Sequence, residues 1–181
     1  MTTNNEFMII GFSGKIGSGK DYCAKVLKDI VEKQYNKKVL IVAFADILKV
    51  ICGSIYNFTF ESLHYKTSET RQKLQQVGLE LREKYGKNFF ANSLKLSMMK
   101  DYHKNNINLF IVTDLRFPEE YDMIKSMNGV LVRIKGEKRS KQHLLKECND
   151  DINLYEERSK HCSETSLDNH TFDYEIQNDI T

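Results

Sequence analysis

The sequence predicts an α/β protein in which a mostly parallel sheet lies between layers of helices. Short apolar runs, typical of strands buried on both faces, alternate with longer segments whose apolar residues recur at helical spacing. Such alternation favours parallel strands joined by helical crossovers. The chain has 181 residues, of which 40% are hydrophobic. That length supports one core of ordinary size, so we expect a single domain over residues 1–181.

The elements follow in order along the chain. The predicted strands are residues 7–12, 39–44, 109–113, 130–134 and 172–176. The predicted helices are one that follows the first strand and carries apolar residues from Cys23 to Val31, and then residues 48–56, 70–85, 89–102 and 119–127. Residues 58–70 show no clear pattern. The charged segment 135–158 has few apolar residues, which indicates a solvated helix in a mobile lid around residues 135–160.

Composition excludes several classes of protein. The net charge of +2 gives no reason to expect a nucleic-acid surface or a basic membrane patch. No apolar stretch is long enough to span a membrane, and the polar residues 2–6 predict no signal peptide. The four cysteines, Cys23, Cys52, Cys148 and Cys162, lack metal-binding spacing and are expected to be reduced core residues. These features predict a soluble cytoplasmic protein that binds neither nucleic acid nor membranes.

A glycine-rich segment after the first strand gives the strongest chemical signal. It reads Gly14-Lys15-Ile16-Gly17-Ser18-Gly19-Lys20-Asp21 and opens a helix, which is the context of a phosphate-binding P-loop. Glycines let backbone N–H groups approach phosphate oxygens, and the helix N-terminus favours negative charge. The lysine places an ammonium group across the terminal phosphates. We expect this segment to bind ATP through Gly14, Lys15, Gly17, Ser18, Gly19, Lys20 and Asp21.

Asp21 departs from the usual loop, which has Ser or Thr at this position to bind magnesium. A carboxylate is a good ligand for a hard cation, so Asp21 is the candidate ligand for Mg²⁺. Alternatively, its charge only stabilises the N-terminus of the helix through the helix dipole.

The third predicted strand ends in Asp114, which is followed by Leu115 and Arg116. Ligands of open α/β sheets bind outside the carboxyl ends of the strands, where the P-loop also lies. Asp114 there could orient magnesium water, and Arg116 could bind a phosphate with two parallel hydrogen bonds. Taken alone, Asp114 is equally explained as a turn former.

One helix carries a polar stripe. Arg71, Gln75, Gly78 and Arg82 are spaced four, three and four residues apart, so they share one face. Leu74, Val77 and Leu81 form an adjacent apolar stripe that would pack on the core. The polar stripe is either a solvated face or a binding surface. Gly78 favours the second, because glycine weakens a helix interior and usually has a packing or ligand reason.

These segments together resemble the deoxynucleoside monophosphate kinases of phages and large DNA viruses. The animal-type phosphomevalonate kinases share the P-loop that ends in Asp21. The matching segments, in order, are 13–21, Phe44-Ala45-Asp46-Ile47-Leu48-Lys49, 70–82, Asp114-Leu115-Arg116-Phe117-Pro118-Glu119-Glu120, His161-Cys162-Ser163-Glu164 and 173–178. Ser163-Glu164, 167–169 and 172–173 also resemble the phosphomevalonate kinases.

The resemblance implies the nucleoside-monophosphate-kinase fold, a three-layer sandwich with a five-stranded sheet and a lid over the phosphates. It implies transfer from ATP, with Mg²⁺, to a deoxynucleoside monophosphate, and it leaves a homodimer open. If the protein is viral, it would act in the host cytoplasm. The implied catalytic residues are Lys20, Asp114 and Arg116. The implied acceptor-binding residues are Lys49, Arg71, Gln75, Arg82, Asp114, Arg116 and Glu164.

Two alternative functions remain open at this stage. One is a phosphomevalonate kinase, which uses the same chemistry on an isoprenoid acceptor. The other is a nucleotide-hydrolysing switch protein. The switch is disfavoured because the sequence has no guanine-binding Asn-Lys-x-Asp motif and no evident residue to position a water molecule.

Overall fold

The computed structural model describes residues 7–64 and 67–179. Five strands form one sheet in the order β2-β3-β1-β4-β5, and each neighbouring pair is parallel. The strands are β1 (Met8–Ser13), β2 (Val39–Val42), β3 (Leu109–Leu115), β4 (Val130–Lys135) and β5 (Tyr174–Gln177). The predicted mostly parallel, five-stranded sheet is confirmed.

Helices connect the strands. They are α1 (Lys20–Tyr35), α2 (Ala45–Tyr56), α3 (Phe60–His64), α4 (Ser68–Tyr85), α5 (Phe89–Asn105), α6 (Pro118–Ser126), α7 (Glu137–Glu147), α8 (Ile152–Ser159) and α9 (Cys162–Thr165). Helix α4 begins with a cap in which the Thr67 side chain accepts a hydrogen bond from the Thr70 N–H. Among the described residues, no helix combines the length and apolarity needed to cross a membrane.

Apolar residues cover both faces of the sheet. On one face, Ala24 of α1 packs in a cluster with Ile111 and Ile134. On the other face, helices α5 and α6 contribute to a larger cluster that includes Phe110 and Val112. Successive side chains of β3 therefore enter opposite cores, which explains why its sequence is continuously apolar. Because β3 pairs with β1 in parallel, its carboxyl end lies beside the end of β1.

Several boundaries differ from the prediction. Strand β2 ends at Val42 instead of residue 44, and α2 begins at Ala45 instead of residue 48. The early end has a tertiary cause, because the N–H groups of Phe44 and Ala45 hydrogen-bond to Asp114 on the neighbouring strand. The unassigned segment 58–70 contains α3 and the start of α4, and residues 65–66 lie outside the described residues.

The charged segment 135–158 contains α7 and most of α8, where the sequence predicted one solvated helix. Helix α7 has an inner face, because Ser140 and Leu144 are buried, as is Cys148 just after it. The mobility of this lid segment stays a prediction. All four cysteines have free thiols, but only Cys52 and Cys148 are buried, whereas Cys23 and Cys162 are half-buried.

Candidate active site

The glycine-rich loop joins the end of β1 to the start of α1. Gly17 and Gly19 have φ angles of +73° and +96°, a region that L-residues rarely adopt. A Cβ atom at Gly17 would also lie 2.5 Å from the Cβ of His143 in α7. Glycine at these positions is therefore required by the backbone and by the close packing of α7, which agrees with the predicted P-loop.

Lys20 is buried within this loop. Its Nζ donates hydrogen bonds to the carbonyl oxygens of Gly14, at 2.8 Å, and Lys15, at 2.9 Å. Burial and, to a smaller extent, the nearby Arg116 lower the pKa of Lys20 to about 8, against the opposing effect of Glu164. The ammonium group thus lies on the loop itself, where it can neutralise phosphate charge.

Asp21 lies exposed in the first turn of α1. The buried Ser18 hydroxyl beside it has no hydrogen-bond partner among the described residues. Both features fit a loop that binds phosphates together with a divalent cation, because the carboxylate is accessible and the hydroxyl lacks a partner. Within the described ranges, no three His, Cys, Asp or Glu side chains group closely enough to hold a metal ion.

If Asp21 binds the magnesium ion, Asp21→Asn should raise the magnesium concentration that gives half-maximal rate, because the amide keeps the shape of the side chain and loses its charge. The measurement is a magnesium titration of initial rate at saturating substrates. An unchanged titration would support the helix-dipole explanation.

Asp114 lies at the carboxyl ends of the strands, as predicted, and close to the P-loop, because β3 pairs directly with β1. Its two carboxylate oxygens accept hydrogen bonds from the N–H groups of Phe44, at 2.7 Å, and Ala45, at 2.9 Å. Burial raises the pKa of Asp114, while these N–H groups and Arg116 lower it. Asp114 therefore connects the ends of β2 and β3, and its catalytic role stays a prediction.

A cleft that is open to solvent lies between α4, the start of α2 and the segment after β3. Its walls combine apolar side chains with polar groups, as in many small-molecule sites. The structure brings all the predicted acceptor residues into it, namely Lys49, Arg71, Gln75, Arg82, Asp114, Arg116 and Glu164. Gly78 also lines the cleft, so the polar stripe of α4 faces the cleft.

Each arginine of the cleft is paired with a glutamate. The pairs are Arg71 with Glu147 at 2.8 Å, Arg82 with Glu120 at 2.7 Å, and Arg116 with Glu164. The sequence suggested these arginines as ligands of the acceptor phosphate. It did not predict that each would be paired with a glutamate. Because a guanidinium has five N–H groups, a paired arginine can still donate to a phosphate. The pairing lowers the net positive charge of the cleft and fixes the arginine side chains.

The Arg82–Glu120 pair is the most deeply buried, with side chains 16% and 4% exposed. The guanidinium carbon lies 4.4 Å from the ring centre of Phe90 and 3.9 Å from that of Phe117. The other oxygen of Glu120 accepts hydrogen bonds from the N–H groups of Arg116 and Phe117. Burial and Asp114 raise the pKa of Glu120, while Arg82 and these N–H groups lower it. The pair is thus a fixed part of the cleft wall.

Sequence reasoning assigned no separate role to Glu120, although a signal was present. Pro118 and Glu120 occupy the first and third positions of α6, a combination typical of helix starts. That signal predicts the backbone hydrogen bonds of Glu120. It does not reveal Arg82, which lies 38 residues earlier in the chain.

Gln75 and Lys49 differ in their partners. Lys49 Nζ lies 2.9 Å from a carboxylate oxygen of Asp46, one turn earlier in α2. Gln75 is half-buried, and no hydrogen bond to its amide is found in the described part of the chain. Its amide is therefore available to a ligand. His161 lines the same cleft and caps α9 by accepting a hydrogen bond from the Ser163 N–H.

Two residues near the P-loop were missed by sequence reasoning. The Asn178 side chain donates to the Ser18 carbonyl at 2.8 Å. His143 packs against Gly17 and lies 3.2 Å from Glu147, the partner of Arg71. No sequence signal reveals His143, because the charged segment shows no distinctive spacing around it.

The sequence is similar to those of known kinases. A family model described as phosphomevalonate kinase matches residues 12–129. A protein of Acanthamoeba polyphaga mimivirus, named "Putative deoxynucleotide monophosphate kinase", is 30% identical over 151 residues, with coverage of 70% of this chain and 73% of that protein. These two names belong to the two kinase groups that the sequence resembles.

A solved structure supports the fold alone. The crystal structure of a "putative fructose transport system kinase" from Silicibacter sp. TM1040 superposes with a TM-score of 0.57 at 13% identity, and the match covers 97% of this chain and 92% of that one. The fold, the P-loop geometry and the family match agree. The chain therefore belongs to the P-loop kinase family that the phosphomevalonate kinase model describes, and it is a phosphotransferase.

Proposed function

We propose that this protein transfers the γ-phosphoryl group of ATP to the phosphate of a deoxynucleoside monophosphate. The observation that carries the proposal is the position of the cleft. It adjoins the P-loop at Arg116 and Glu164, and Glu164 hydrogen-bonds to the Ile16 N–H of the loop. An acceptor phosphate in the cleft would therefore lie next to the γ-phosphate of ATP.

Lys20 and the loop N–H groups would bind the ATP phosphates. A magnesium ion, held through Asp21, would supply positive charge at those phosphates. Arg71 and Arg116 would bind the acceptor phosphate through guanidinium N–H groups that remain after their glutamate contacts. No general base is required, because the acceptor phosphate is already an anionic nucleophile and catalysis is mainly positioning and electrostatics.

The walls of the cleft support a base-bearing acceptor. The rings of Phe90 and Phe117 line the cleft, and the Arg82 guanidinium lies over both. Gln75 lies in the same cleft, with an amide that can both donate to and accept from a base edge. The mimivirus relative, whose name refers to a deoxynucleotide monophosphate acceptor, favours the same class.

The second candidate is phosphomevalonate kinase, because the family model of that description covers residues 12–129. The deciding experiment is an ADP-release assay over all ribo- and deoxyribonucleoside monophosphates and phosphomevalonate. We expect turnover with at least one deoxynucleotide. If the protein uses phosphomevalonate and none of the mononucleotides, the proposal is wrong and the second candidate replaces it.

Substitution of Gln75 tests base recognition. Gln75→Leu should weaken discrimination among mononucleotides by roughly tenfold to a hundredfold, because buried hydrogen bonds of this kind are worth about 1–3 kcal/mol. The affinity for ATP should stay nearly unchanged. Arg71→Ala should instead reduce kcat/KM for all phosphate-bearing acceptors alike.

The measurement is kcat/KM for several mononucleotides, with phosphomevalonate as a control acceptor. Gln76→Leu is the matched control, because Gln76 is the next residue of α4 and bonds to Glu80 on the exposed surface. Equal effects of the Gln75 and Gln76 substitutions would show that Gln75 does not contact the base.

A further inference from the structure

Glu164 contacts the P-loop and the acceptor cleft at the same time. One carboxylate oxygen accepts a hydrogen bond from the Ile16 N–H at 2.8 Å, and the other accepts from Nη1 of Arg116. The side chain is only 9% exposed. A carboxylate so deeply buried is stable only if both oxygens are satisfied, and here the two donors belong to the two halves of the site.

The backbone around Glu164 is anchored independently of its side chain. Lys15 Nζ donates to the Glu164 carbonyl oxygen at 2.5 Å, and Arg116 Nη1 also donates to the Ser163 carbonyl at 3.1 Å. Lys15 pairs with Asp168 as well, at 2.6 Å. These contacts would remain after substitution of the Glu164 side chain, so helix α9 should keep its place.

The contacts of Arg116 leave part of its guanidinium available. Within the described part of the chain, the side-chain hydrogen bonds of Arg116 all come from Nη1. Nη2 and Nε can therefore donate to a phosphate while Nη1 keeps its contact with Glu164. The guanidinium is thus held through Nη1, and its other N–H groups are available to a phosphate.

We propose that Glu164 is a positioning residue that holds Arg116 at a set distance from the P-loop. The sequence suggested it as an acceptor ligand, whereas here it acts through Arg116 and the Ile16 N–H. This inference rests on the proposed function, because it assigns Arg116 to phosphoryl transfer between two phosphates. Charge on the transferred group is stabilised best by donors that need no rearrangement during the reaction, which is what a fixed Arg116 provides.

Two substitutions of Glu164 test the role. Glu164→Gln places an NH₂ group against one of the two donors, and Glu164→Asp keeps the charge but is one methylene too short to reach both. Both should lower kcat/KM for the acceptor on the order of tenfold to a hundredfold, with KM for ATP changed by less than about threefold. Glu157→Gln, an exposed change of the same chemistry in α8, is the control and should have wild-type kinetics.

A second readout does not depend on activity. The Ile16 amide proton, hydrogen-bonded to a carboxylate, should shift upfield in the NMR spectrum of Glu164→Gln and stay in place in Glu157→Gln. An unchanged kcat/KM for the acceptor in the Glu164 variants would overturn the proposal, as would an unshifted Ile16 resonance. If the wild-type protein had no kinase activity but the Ile16 resonance shifted in Glu164→Gln, the proposed function would be wrong. The link that Glu164 makes between Arg116 and the P-loop would still be supported.

Discussion

Replacing Lys20 with alanine should lower turnover by on the order of a hundredfold to a thousandfold while leaving thermal stability nearly intact. The ammonium group contacts two carbonyl oxygens of the P-loop and is positioned to neutralise charge that moves during transfer. The loop should keep its geometry in the variant, because the left-handed backbone of Gly17 and Gly19 does not depend on this side chain. The measurement is kcat by ADP release together with the melting temperature.

The same lysine should set the alkaline limit of activity. Because burial lowers the pKa of Lys20 to about 8, the free enzyme loses this charge above that pH. We therefore expect kcat/KM for ATP to fall as the pH rises through about 8, with a flat profile below it.

Near-normal turnover of a folded Lys20→Ala protein would remove Lys20 from the mechanism.

Replacing Glu120 with alanine should lower the free energy of unfolding by about 3–5 kcal/mol, the typical cost of removing one member of a buried ion pair. The substitution leaves the Arg82 guanidinium buried and unpaired between Phe90 and Phe117. It also removes the acceptor of two backbone N–H groups at the start of α6. The measurement is equilibrium unfolding in urea.

Two further variants show whether the pair itself carries the effect. Glu119→Ala, one residue earlier in the first turn of α6, should cost less than about 1 kcal/mol, since it loses only a helix-dipole interaction. The double variant Arg82→Met with Glu120→Leu should be more stable than Glu120→Ala, because no unpaired charge remains buried. If Glu119→Ala and Glu120→Ala were equally destabilising, the ion pair would not be the cause.

Local sequence patterns predicted most of the fold. The apolar runs identified all five strands, and each matches to within two residues at each end. The errors lie where tertiary contacts override local preference. Strand β2 stops early because Asp114 draws the N–H groups of Phe44 and Ala45 into hydrogen bonds. Ser140 and Leu144 become buried in a segment whose composition suggested a solvated helix.

The sequence by itself determined the P-loop, the parallel sheet and the polar face of α4, because each depends on residues close together in the chain. A glycine spacing, an apolar run and a helical repeat are local properties. Only the tertiary structure decided the partners of the cleft arginines. Arg71 meets Glu147, and Arg116 meets Glu164, across separations of 76 and 48 residues. Such pairs form because folding brings distant charges into one partly buried cleft, where each is stabilised by a counter-charge, and no periodicity in the sequence encodes which charge that will be.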